Sequence, residues 1–234
     1  TTYRALGYQP GLADSLSQLA QIAYLQGRFA EGERLAREAV TTAREAGSST
    51  ELAYALLSQG EALEREGKFE EAHAVFQQSL ALYNELGHRY YVTEAQSALG
   101  SDDMHRGRYE EARDRLQTSL ELARSQGPPY CVGLNLLLLG CLDLAEGAQT
   151  RAYQSLQDSI AAYQEVGGHQ DDLSWALATL AIAAHGLEDA PEARHRLGAA
   201  VECHESRGFQ QARLDVVRIA SQRVARAAQG LGPA

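Results

Sequence analysis

Glu66-Gly67-Lys68-Phe69-Glu70-Glu71-Ala72 is the stretch that decides the fold, because it returns along the chain. Gly27-Arg28-Phe29-Ala30-Glu31-Gly32 precedes it, and Gly107-Arg108-Tyr109-Glu110-Glu111-Ala112 follows it. Gly147-Ala148-Gln149-Thr150-Arg151-Ala152 is a weaker copy, and Glu188-Asp189-Ala190-Pro191-Glu192-Ala193 arrives one residue late. The interval is 40 residues, and 41 at the last step. A second series, Gly7, Gly47, Gly87, Gly127, Gly167 and Gly208, keeps the same beat. Two markers in phase along a whole chain are the signature of a repeat architecture.

Each repeat reads as two helices. The first glycine falls where one apolar periodic segment stops, as a residue free to take a left-handed turn should. The small residue five positions later (Gly32, Ala72, Ala112, Ala152 or Ala193) lets a second helix lie close to the first. Ala36, Phe76, Leu116, Leu156 and Leu197, with Val40, Leu80, Leu120, Ile160 and Val201, then share one stripe of that second helix. Before the turn the stripe is Leu16, Leu19 and Ala20, then Leu136, Leu139 and Gly140, then Leu177, Leu180 and Ala181.

Composition narrows the function. The chain has 234 residues and a formal net charge of -10, from 31 acidic and 21 basic side chains. That balance argues against direct nucleic-acid binding through the phosphate backbone. No apolar run approaches the roughly 20 residues that span a bilayer, and no signal peptide is evident, so no membrane role is expected. Three cysteines are too few for a disulfide framework. Cys131 and Cys141, if on one helix, stand about 15 Å apart along it, too far to bridge. A reducing, cytoplasmic setting is expected. Thr1 is not a methionine and Tyr3-Arg4-Ala5-Leu6 looks like the tail of an earlier second helix, so the chain reads as a piece of a longer array.

The pattern Leu99-Gly100, Gly107-Arg108-Tyr109 and Ala112, with Leu116 at the large apolar position, resembles the tetratricopeptide repeat. Gly60, Gly67, Phe69, Ala72 and Phe76 carry the same marks one repeat earlier. The resemblance implies an all-α, right-handed α–α superhelix of about five helix pairs plus a terminal helix, one solenoid over residues 1–234. Its parts would be a stub at 1–10, repeats at 11–47, 48–87, 88–127, 128–167 and 168–208, and a terminal helix at 209–229. That last helix is basic, with Arg213, Arg218, Arg223 and Arg226. The period exceeds the usual 34. The usual proline near the end of the second helix is replaced by Arg44, Asn84, Arg124, Gln164 and Glu205, which lets that helix run on by about a turn. The long form is similar to the carboxy-terminal arrays of bacterial signalling ATPases and large transcriptional activators.

The resemblance also implies a concave face lined by the first helices, binding a protein or peptide. Carried over by position, that face takes Tyr54, Leu57, Glu61, Glu64 and Arg65 from repeat two, and Glu94, Ser97, Ser101, Met104 and His105 from repeat three. Repeat four adds Leu134, Leu137, Cys141 and Leu144, and repeat five adds Trp175, Ala178, Ile182 and His185. The early residues are polar and acidic, the late ones apolar and aromatic. A ligand with basic and large apolar residues would match, with Trp175 the first anchor or else a packing residue between repeats. None of these positions carries the lysine or asparagine of the family's carboxylate clamp. The leading expectation is an interaction arm in signal transduction or transcription regulation. Self-association as a homo-oligomer, or sensing of a small molecule, are the alternatives.

No enzyme signature, cofactor motif or metal motif emerges. Gly60 and Gly67-Lys68 mimic a phosphate loop with the wrong spacing and no hydroxyl after the lysine. His204-Glu205 lacks the second histidine of a zinc protease helix, and no Gly-x-Ser-x-Gly turn occurs. Ser101-Asp102-Asp103-Met104-His105 is the oddest stretch. Asp103 and its counterpart Asp143 could ligate a metal beside His105, or else pair with Arg106 and Arg108.

Overall fold

The computed structural model describes Tyr3 and residues 6–205. The expected terminal helix at 209–229 lies outside the described residues. Among the described residues ten long helices follow in order: α1 (Gln9–Leu25), α2 (Phe29–Glu45), α3 (Ser49–Arg65), α4 (Phe69–Glu85), α5 (Arg89–His105), α6 (Tyr109–Gln126), α7 (Pro129–Ala145), α8 (Gln149–Val166), α9 (Gln170–Gly186) and α10 (Ala190–Glu205). No strand occurs among the described residues. The chain divides into two compact units, Thr1–Thr118 and Ser119–Ala234.

The turns form as the glycines require. Gly27, Gly67, Gly107 and Gly147 take φ between 72° and 78°. At each, two backbone bonds close the helix end. Around Gly67, Lys68 N–H donates to the Leu63 carbonyl at 2.9 Å and Gly67 N–H to that of Glu64 at 3.0 Å. This pair of bonds stops a helix without any side-chain cap. The late fifth copy keeps the geometry with a different residue: Glu188 sits at φ 63°, and Asp189 N–H reaches the Ala184 carbonyl at 3.0 Å. A side chain in that region costs about 1–2 kcal/mol relative to glycine. Gly127 departs from the second beat; it is not among the left-handed glycines, and Pro128 and Pro129 start the next helix.

Within each unit the helices pack in consecutive pairs, and the first helices also touch one another: α1 meets α3, α3 meets α5, and α7 meets α9. The pairs close over the small residues. Ala72, Ala112, Ala152 and Ala193 are wholly buried. A Cβ at Gly32 would lie 2.8 Å from the Tyr24 ring. A second close approach holds the middle three pairs at their centres: Gly60 faces Phe76, Gly100 faces Leu116, and Gly140 faces Leu156. Among the described residues, one expected core residue is exposed. Leu19 is 50% exposed, whereas its counterparts Leu139 and Leu180 are buried.

Candidate functional site

The residues carried over to the concave face fall into registers 40 apart, 41 at the last step, and each register behaves uniformly. Tyr54, Glu94, Leu134 and Trp175 are all half-buried, as are Glu61, Ser101, Cys141 and Ile182, and Glu64, Met104, Leu144 and His185. Arg65 and His105 are exposed. The remaining register is buried throughout: Leu57, Ser97, Leu137 and Ala178. Those four are covered by the packing of the helices and offer no surface to a partner.

In the first unit the face is acidic and tied across repeats. Tyr54 on α3 donates to Gln21 Oε1 on α1 at 3.4 Å. Glu64 Oε1 accepts from Ser101 Oγ at 3.0 Å and from His105 Nδ1 at 2.9 Å, both on α5. The Phe69 ring stacks on His105 at 5.3 Å. Burial, then Glu61, pushes Glu94 up to about 7. Burial, then Glu61, Asp14 and Glu94, pushes Tyr54 up to about 12.

The hydrogen bond to Glu64 raises the pKa of His105 above its usual value. The sign follows: this stabilisation is fully present below the unfolded pKa of about 6.5 and is lost as pH rises through the folded value. An NMR titration of His105 is expected to give a midpoint above that value, falling in Glu64→Gln. An unchanged midpoint in the variant would contradict the pairing.

In the second unit the face is apolar. Leu134, Cys141 and Leu144 on α7 and Trp175 and Ile182 on α9 lie against a core containing Leu137, Leu156, Leu177 and Leu180. Burial pushes the Cys141 thiol up to about 12, partly offset by its contact with the Thr179 hydroxyl. The amide of Asn135 on α7 is buried, donating to Ser119 Oγ at 3.0 Å and the Cys131 carbonyl at 2.8 Å. It forms no carboxylate clamp.

The Ser101–His105 stretch resolves into two arrangements. His105 turns to Glu64, while Asp103 is held by Arg108 and, at 2.7 Å, by Arg115. Asp143 is paired with Arg151 at 3.1 Å. Sequence reasoning missed Asp102 and His73, whose carboxylate and Nδ1 lie 2.7 Å apart. The available signal was an acid at a register that holds Ala62 and Leu142 in adjoining repeats. His73, Asp102 and Asp103 place three ligand atoms within 4.8 Å of one another. Their surroundings do not suit a cation. Arg106 lies 3.6 Å from Asp102, and Arg108 and Arg115 already neutralise Asp103, so three guanidiniums face two carboxylates.

Paired helices joined by these glycine turns, with first helices side by side, define a tetratricopeptide-like solenoid fold. Residues 11–85 match the model of the tetratricopeptide repeat, and residues 99–183 match that of anaphase-promoting complex subunit 5. No curated protein matches the chain in sequence. Among solved structures it is similar to BtubC from P. vanneervenii, with 20% identity and TM-score 0.68 over 90% of this chain and 89% of that one. The quorum sensor NprR from B. thuringiensis in its apo form is similar at 15% identity and TM-score 0.69, over 93% of this chain and 59% of that one. NprR in complex with its cognate peptide NprX gives 16% identity and TM-score 0.73, over 91% and 60%. Among the described residues, no helix is long and apolar enough to cross a membrane.

Proposed function

We propose that the chain is a protein- or peptide-binding scaffold, the partner-binding arm of a larger signalling or transcription-regulating protein. The observation that carries this is the contrast between registers. Positions that hold the helix pairs together are glycine, alanine or large apolar residues throughout. Half-buried positions on the first helices vary freely in chemistry, from Tyr54 and Glu94 to Leu134 and Trp175. The NprR complex, of the same fold, holds a peptide. Here the acidic face suits a basic segment, and the apolar face around Trp175 suits large apolar side chains.

The test is fluorescence anisotropy with a panel of labelled twelve-residue peptides, basic-apolar, acidic-apolar and neutral. Micromolar binding is expected for the basic-apolar class only, weakening with salt because exposed charges are screened. Glu61→Gln should weaken it. Saturable binding to none of the peptides would overturn the scaffold reading.

Self-association is the second reading, favoured by the exposed Leu19 and Ile22 on α1 and Phe29 on α2. Light scattering over a range of concentrations separates the two: a mass that doubles with concentration, and reverts in Leu19→Ser, supports it.

A further inference from the structure

Glu94 is the least compensated charge on the acidic face. It occupies the register of Tyr54 one repeat earlier and Leu134 one repeat later. Among the described residues no hydrogen bond or ion pair reaches its carboxylate. The groups around it come from three other helices: Glu61 and Tyr54 from α3, Tyr83 from α4, and Asp14 of α1 acting on the same Tyr54. Glu51 acts on Tyr83, so every carboxylate felt across this cluster adds to one sign.

A separate observation points to a missing donor at the same place. Tyr83 is wholly buried and its hydroxyl has no hydrogen-bond partner, with Glu94 the foremost charge acting on it. Its ring stacks on Tyr91, next to Glu94 on α5, at 5.0 Å and 17°, and Tyr91 meets Tyr90 edge-on at 5.1 Å. An unmatched carboxylate, a second carboxylate, an idle hydroxyl oxygen and tyrosine rings share one chemistry. They accept N–H donors and attract a cation.

Resting on the peptide-binding reading above, we propose that Glu94 and Glu61 anchor one arginine side chain of the bound peptide, its guanidinium seated between the two carboxylates against Tyr54 and Tyr91. Arginine fits better than lysine. A guanidinium is more weakly hydrated than an ammonium, so a desolvated site strips less water from it, and its plane stacks on tyrosine while its fork donates to two acceptors. Only the ionised carboxylate holds the cation. With Glu94 titrating near 7, the ionised fraction, and with it the affinity, rises about tenfold between pH 6 and pH 8. Binding in turn lowers the pKa of Glu94.

The probe is N-acetyl-arginine amide, titrated into the whole chain carrying ¹³C-labelled glutamate and followed by NMR. Saturable millimolar binding is expected, strengthening from pH 6 to pH 8 and displacing the Glu94 titration downward. N-acetyl-citrulline amide, neutral and of the same shape, should not bind. N-acetyl-lysine amide should bind several-fold more weakly. Glu94→Gln should weaken the arginine probe about tenfold and abolish its pH dependence. Equal binding of citrulline, or a folded Glu94→Gln that binds like the parent, overturns the anchor. Should that variant not fold, the parent still decides: an unmoved Glu94 titration at saturating probe overturns it. The probe is a single residue, so the two proposals fail separately. A protein that binds the basic-apolar peptides but ignores the arginine amide keeps the scaffold function and loses the anchor. One that binds the amide but no peptide does the reverse.

Discussion

Phe76→Ala is expected to cost about 3–5 kcal/mol of stability, read from urea unfolding followed by circular dichroism. The ring is wholly buried and fills the space over Gly60. A Cβ built at Gly60 would lie 2.3 Å from Phe76 Cε1 and 2.5 Å from Cδ1. Gly60→Ala should therefore be destabilising too, by about 1–3 kcal/mol, because overpacking exceeds the roughly 1 kcal/mol that alanine gains in a helix. The informative measurement is the double variant. The first repeat already uses small residues on both sides, Ala20 with Ala36, where the next three use glycine with a large side chain. Gly60→Ala with Phe76→Ala recreates that pairing. Its cost should fall short of the sum of the single costs by about 1–2 kcal/mol. Strict additivity would show that the ring and the glycine do not share a contact.

The second large effect is expected at Asp103. Its carboxylate is 1% exposed and is held by two arginines, Arg108 and Arg115. Removing one side of a buried ion pair typically costs about 3–5 kcal/mol. Both arginine side chains are about a third exposed, so once freed they are partly solvated, and Asp103→Ala should fall near 2–3 kcal/mol. Asp143 gives the contrast. It occupies the same register, but Arg151 is 62% exposed, and Asp143→Ala should cost less than half as much. Equal costs would mean that the arginines around Asp103 add nothing.

How much of this was legible in the sequence differs between scaffold and face. The helix pairs were readable because one physical need, a left-handed residue at each helix end, recurs at a fixed interval. Gly67 and Gly107 announce it without any help from distant contacts. Even the late fifth turn was visible from its small residue and proline, although the left-handed residue there is Glu188. The face was readable as a set of registers but not as a surface. Leu57, Ser97 and Leu137 have the same spacing from the turn in each repeat, yet that side of the helix is turned inward, and one chain's periodicity does not show which flank a neighbour covers. Asp103 offered arginines close by in sequence. The bond between Asp102 and His73 joins residues 29 apart, a pairing that only the packing of α4 on α5 creates.

One register keeps a different residue on every first helix: Asp14, Tyr54, Glu94, Leu134 and, one step late, Trp175. None of them is a turn residue or one of the glycine-facing contacts that close a pair. Grammar and vocabulary are thus written in separate letters. On the proposed scaffold function, a substitution in this column changes what is spelled out to a visitor while the sentence still parses, so new meanings can be tried one character at a time.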